Sequence, residues 1–171
     1  MQRTKWIDRT FTFDFPSGWL ANIMERLRGT PARILEMTRS LSDEEARNQP
    51  NGKWSIKEQV GHLCDLEPLH IGRMDDFIAR KDILRAADMS NAITYEEKHN
   101  QKDLQQLISE FKKRRDEFIT KIENLDEATM NSKSIHPRLK VLVRPIDIAY
   151  FTAEHDDHHL ADIREILKKQ K

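Results

Sequence analysis

At 171 residues the chain fits one domain spanning 1–171, and five Gly with six Pro leave little turn material for a β sandwich or barrel. Lysine plus arginine balance aspartate plus glutamate, 29 against 29, which argues against affinity built mainly on phosphate neutralisation, so no nucleic-acid partner is expected. No apolar run approaches the ~20 residues of a membrane helix, the first ten residues lack a signal peptide's apolar stretch, and the single cysteine, Cys64, can form no internal disulfide; the expectation is a cytoplasmic protein with no membrane partner.

Residues 1–16 read as an irregular arm on the outside of a helical body; Phe11, Phe13 and Phe15 alternate as in a strand but have no partner strand. Leu20, Leu27, Ile34 and Leu41 recur every seventh residue, which predicts a first helix over Ser17–Leu41, bent near Pro31 because proline removes a backbone donor. A short turn, Ser42–Asn48, and a Pro50-Asn51-Gly52 loop follow. Ser55 and Glu58 have the spacing of a capping box, so a second helix starts there and runs to about Arg80, with Pro68 as a kink. After a long connection, Lys81–Asn100, the seam of Leu104, Ile108, Phe111, Phe118, Ile122 and Leu125 marks a third helix, capped by Asn100. A second long connection, Asp126–Arg144, leads to a fourth helix from Pro145 to about Lys169.

Four amphipathic helices of roughly 24 residues, each ~36 Å long, bury their stripes most economically in an all-α, four-helix bundle with antiparallel helices. The connections after the second and third helices are long for such a bundle, and long connections in compact domains are often functional. They are expected to build one end of the molecule, over the core.

The fourth helix carries Glu154-His155-Asp156-Asp157-His158-His159. At about 100° per residue, His155 and His159 share a column with Ile148, Thr152 and Ile166 beside the main apolar stripe, whereas His158 falls among acids. Two inward imidazoles read equally as core-edge histidines held by hydrogen bonds or as metal ligands. A metal site needs a third ligand, and the second helix offers His62 or His70, about two turns apart; spacing does not choose between them. His99 and His136 fall in connections and read as solvated, with His136-Pro137 near the site mouth.

The stretch Gly52-Lys53-Trp54-Ser55-Ile56-Lys57-Glu58-Gln59-Val60-Gly61-His62-Leu63 resembles the second-helix signature of the DinB-like (DinB/YfiT) superfamily, and His155-Asp156-Asp157-His158-His159-Leu160-Ala161-Asp162-Ile163-Arg164 resembles its C-terminal His-x-x-x-His signature. Gly29–Arg33, Ser42–Asn48 and His136–Leu139 are also similar to family members, and the likeness covers most of 17–170. The resemblance implies a DinB/YfiT-like four-helix bundle, often a homodimer, with a divalent metal on His62, His155 and His159. It implies zinc or nickel first, with iron or manganese as alternatives. Some members resemble transferases of low-molecular-weight thiols, others metal-dependent hydrolases, and many have no known activity.

Three neutral imidazoles leave a divalent ion's charge uncancelled and a coordination position open, the pattern of a catalytic site. Such a site can activate water or hold a thiol as thiolate. Both chemistries fit the ligand set, so the ligands do not decide between them; with the resemblance added, the leading expectation is a metal-dependent enzyme that transfers a small thiol to a small electrophilic substrate. A hydrolase using activated water is the first alternative, and a non-catalytic metal-binding or interaction protein the second. Glu58, Asp156 and Asp162 are the acids near the ligands, each readable as an orienting partner or as an ordinary surface or cap residue. Arg115, at a seam position of the third helix, could bind a substrate carboxylate or pair with an internal acid such as Asp65 or Asp156. Cys64 points about 200° away from His62 and reads as a packed thiol.

Overall fold

In the computed structural model, which describes residues 3–169, each apolar stripe becomes a helix: α1 Leu20–Thr38, α3 Ile56–Ile78, α5 Leu104–Glu123 and α7 Pro145–Lys169. Short helices α2 Asp43–Arg47, α4 Ala92–Glu96 and α6 Glu127–Met130 lie between them, with a two-stranded antiparallel hairpin of β1 Ser134–Ile135 and β2 Leu142–Val143. The Ser42–Asn48 segment is thus a helix, not a turn: Ser42 and Glu45 make a capping box like that of Ser55 and Glu58 at the start of α3. Asp103, not Asn100, caps α5 by accepting from the Gln106 amide. Asn100 instead accepts from the Ser55 hydroxyl at 2.6 Å and ties the crossover to the start of α3. α1 and α3 run through Pro31 and Pro68.

The helices are not uniformly antiparallel. Asp75 pairs with Lys121 and Glu67 with Arg115, so α3 and α5 run parallel. Arg26 pairs with Glu154 and Arg33 with Asp157, so α1 and α7 also run parallel. Gln59 meets His159 while His70 meets Thr152, so α3 and α7 run antiparallel. Each of α1 and α3 packs against both α5 and α7. A parallel step from α3 to α5 obliges the chain to return the length of the bundle, which accounts for the long crossover.

Two apolar clusters fill the interior, one with Leu27, Met74, Phe118 and Ala153, the other with Ile34, Leu63, Phe111 and Leu160. Each fully buried aliphatic or aromatic side chain contributes roughly 1.5–3 kcal/mol. Between the clusters, every long helix contributes one polar residue: Thr30, Glu67, Arg115 and Asp156. The Arg115 guanidinium donates to Glu67 Oε1 from Nε at 2.9 Å and Nη2 at 2.6 Å, and to both Asp156 oxygens. Thr30 Oγ1 donates to Asp156 Oδ2 at 2.7 Å. Burial works against the Arg115 charge, but the Asp156 and Glu67 carboxylates outweigh it and hold the guanidinium above its ordinary range. Arg115 is 0% exposed, so its reading as a substrate-anion ligand is corrected: it is the internal ion pair, with Glu67 as an unforeseen second partner.

Candidate metal centre

With Asp156 fixed in the polar layer, α7 is rotated so that His155 and His159 face the groove toward α3. His62 projects into the same groove. Ring centroids lie 4.9 Å apart for His62 and His159, 5.5 Å for His62 and His155, and 4.4 Å for His155 and His159. One ring nitrogen from each of the three lies within 4.8 Å of the others. All three imidazoles are buried. Burial lowers His62 to about 4, with Asp65 partly opposing, and carries His155 and His159 well below the ordinary value, reinforced by neighbouring imidazoles. The cluster is therefore neutral at pH 7, the form in which imidazole offers a lone pair.

Two ring nitrogens are held from behind. His159 Nδ1 lies 2.5 Å from Gln59 Oε1, so the ring donates there and leaves Nε2 bare, 3.1 Å from His155 Nε2. His62 Nδ1 lies 3.1 Å from Thr94 Oγ1. That hydroxyl donates to Asp65 Oδ2 at 3.1 Å, and the same oxygen is 2.8 Å from His99 Nε2. His99 fits because Gly61 has no side chain; a Cβ there would overlap the imidazole. These partners are not the acids singled out from the sequence. Glu58 is spent on the Ser55 cap and Gln49, Asp156 on Arg115, and Asp162 on Arg3 and His158. Gln59 was detectable, since it precedes His62 by three residues on one helix face. Thr94 belongs to the crossover and carried no signal.

The other histidines separate clearly. His158 stands 3.5 Å from Asp162, outside the cluster. His70 is a core histidine, 3.4 Å from Thr152 Oγ1. His99 and His136 are both 2% exposed, which corrects their reading as solvated: the crossover and the hairpin fold back onto the bundle. Cys64 is buried, its thiol pushed up to about 12 by that burial, in keeping with a packed, unreactive side chain.

The cluster lines a cavity of about 470 Å³ along the α3–α7 groove. This corrects the expected position over the bundle end, because His155 and His159 sit midway along α7. Leu66, Leu69, Ala86–Met89 of the crossover and Phe151 form walls. Trp54 lies 4.7 Å from His62 by ring centroid, and Trp6 lies 4.8 Å from His155. Trp6 comes from the N-terminal arm, which lies along α7 through Arg9–Glu154 and Phe15–Tyr150 contacts. An arm expected merely to cover the bundle thus supplies part of the site.

The fold is similar to that of YfiT from Bacillus subtilis, described as a probable metal-dependent hydrolase with an unusual four-helix bundle topology. The TM-score is 0.80 at 16% identity, over 95% of this chain and 93% of that one. It is also similar to a mycothiol-dependent maleylpyruvate isomerase, with a TM-score of 0.67 at 9% identity, over 88% of this chain and 61% of that one. A search among curated proteins finds no match. The DinB superfamily model matches residues 26–163, and the chain belongs to that superfamily.

Proposed function

We propose that His62, His155 and His159 hold one divalent metal ion, zinc or nickel in the first instance, in an enzyme that transfers a small thiol to an electrophilic substrate in the α3–α7 cavity. The observation carrying this reading is three neutral imidazoles whose ligand atoms lie within 4.8 Å of one another on the wall of a largely apolar cavity. The donor set fits the ion, since Gln59 and Thr94 engage Nδ1 of His159 and His62 and leave Nε2 of each free to ligate. A divalent ion on three neutral nitrogens keeps its charge and an open position, and supplies the electrostatics that favour a thiol or water in its nucleophilic, deprotonated form. The chain's own residues do the rest. Gln59 and the Thr94–Asp65–His99 chain fix ring orientation, and Trp6, Trp54 and Phe151 narrow the cavity against bulk water. The thiol sulfur forms a bond to the electrophilic carbon as that carbon's π bond, strained ring bond or bond to a leaving group breaks, and the displaced electron pair takes up, through solvent, a proton equivalent to the one the thiol gave up.

Hydrolysis is the second reading, supported by the likeness to YfiT, a probable metal-dependent hydrolase. Thiol dependence discriminates between them. Metal-loaded protein incubated with a panel of electrophiles and cellular thiols, followed by mass spectrometry, is expected to give conjugates above the uncatalysed rate, lost in His62→Ala. Water-addition products formed without thiol would replace transfer with hydrolysis, and no turnover of either kind would favour a non-catalytic metal-binding protein. We also propose, from the family resemblance, a cytoplasmic homodimer. Sedimentation at micromolar concentration is expected to give about twice the 20.2 kDa chain mass, and a species at the single-chain mass would contradict it.

A further inference from the structure

The far end of the same cavity is cationic, lined by Arg73 and Arg138. Arg73, on α3, is 3% exposed and lines the cavity, yet no carboxylate pairs with it among the described residues. Its Nε donates to the Arg85 carbonyl at 3.2 Å, and its Nη groups have no hydrogen-bond partner among the described residues. Its natural acid, Asp76, is taken by Arg85 and Lys81. His136 is buried beside it. Its Nδ1 accepts from the backbone amides of Arg138 and Leu139, both at 3.2 Å, so a neutral ring carries its proton on Nε2. That Nε2 is buried and has no partner among the described residues. Arg138 stands over the Trp6 and Phe151 rings and donates from Nη1 to the Ile7 carbonyl at 3.4 Å, while its Nη2 is buried with no partner among the described residues. The one carboxylate on the cavity wall among the described residues, Asp88, accepts from Ser90 and the Ala92 amide.

The Arg73 Nη groups, His136 Nε2 and Arg138 Nη2 thus border one cavity with no acceptor among the described residues, while Arg73 Nε and Arg138 Nη1 each donate to a backbone carbonyl. A buried charge or donor without a partner is costly, and that cost is recovered when an anion arrives. Burial depresses Arg73 to about 10, with Arg138 and Arg85 adding to the effect and Asp76 opposing it, which leaves it charged at pH 7. His136 packs on Phe151, one helical turn before His155, so the cationic end lies roughly 6 Å along α7 from the proposed metal ligands.

We propose that Arg73, His136 and Arg138 form a carboxylate-binding subsite, and that the enzyme's ligand is a small organic acid whose carboxylate docks there while its reactive group reaches the three-histidine cluster. This deepens the proposed function and takes its catalytic meaning from it, but the subsite itself does not depend on the metal. Guanidinium forks match a planar carboxylate in both charge and shape. The acid can be the acceptor or the thiol, since either can carry a carboxylate.

The test is calorimetric titration of the full chain, chelated and zinc-loaded, with glutarate, its neutral diamide, N-acetylcysteine and the uncharged thiol N-acetylcysteamine. Either carboxylate binding the chelated protein at least tenfold more tightly than its neutral analogue supports the subsite. Glutarate alone assigns the carboxylate to the acceptor, and N-acetylcysteine alone assigns it to the thiol. Arg138→Gln, at a half-buried position, and Arg73→Lys, which keeps the charge but loses the fork, should each weaken binding about tenfold or more with zinc content unchanged. Equal binding of acid and neutral analogue would overturn the subsite, as would acid binding that needs zinc and ignores both substitutions. Those outcomes leave the metal reading standing; failure to bind zinc, with carboxylate binding intact, would do the reverse.

Discussion

Gln59 and Thr94 contact ring nitrogens on the side away from the cluster, and so govern how well the imidazoles are aimed. Removing such orienting groups typically costs about 10–100-fold in metal affinity. Gln59→Leu and Thr94→Val should each weaken zinc binding by that factor in a competition titration while leaving the helical content intact; unchanged affinity would make them packing residues only. Gly61→Ala should act on the same chain, because the new methyl group must displace the His99 ring. We expect a loss of thermal stability together with a drop in zinc affinity smaller than that of His62→Ala. The histidine pair on α7 was legible from its four-residue spacing, and the choice of His62 from the family motif. The partners from the crossover, the hairpin and the arm were not, because Thr94, His136 and Trp6 approach the site through tertiary folding that no local period records.

The polar layer shows how the four helices are set in rotation. A residue pairing across three helices, with Thr30 from the fourth, fixes which face of α7 is buried and hence where His155 and His159 point. Removing one partner from a buried ion pair commonly costs about 3–5 kcal/mol, because the remaining charges stay buried. Arg115→Met would leave Glu67 and Asp156 facing each other, so chemical denaturation should show a loss in that range. A change below about 1 kcal/mol would mean the layer is not coupled to folding. At the start of α3, Ser55 serves both as helix cap and as donor to Asn100. Ser55→Ala should therefore cost about 1–2 kcal/mol, the upper part of the usual capping range, seen as a lower urea midpoint. All four long helices were readable from apolar spacing, with a capping box marking the start of α3 and Pro145 that of α7, whereas Asp103, the cap of α5, was not singled out. The parallel course of α3 and α5 was not, since an apolar stripe carries no direction. The hairpin was missed because each of its strands spans two residues, too short for alternation to register.

Across the whole molecule, burial makes histidines the main acid-sensitive groups. His62 is lowered to about 4 and His136 to about 3, while His70, His155 and His159 lie well below the ordinary value, all principally through burial. Each folded-state value lies below the unfolded one, so the unfolded chain takes up more protons as pH falls. The associated stability is present above about pH 6.5 and is lost toward pH 4, with His62 alone contributing on the order of 3 kcal/mol. Glu67, pushed up to about 7 by burial, runs the other way, but it is one group against five. The chelated protein should accordingly show a lower urea midpoint at about pH 5 than at about pH 7.5; equal midpoints would contradict the buried, neutral state of these rings.

On the proposed reading His62, His155 and His159 together hold one divalent ion, with His158 and His70 outside the site. The zinc content of purified, zinc-equilibrated protein, read by inductively coupled plasma mass spectrometry with circular dichroism confirming that each variant is folded, tests this directly. Wild type, His158→Ala and His70→Ala should carry about one ion per chain, and the His155→Ala, His159→Ala double variant should carry almost none. Equal zinc in the double variant and wild type would contradict it.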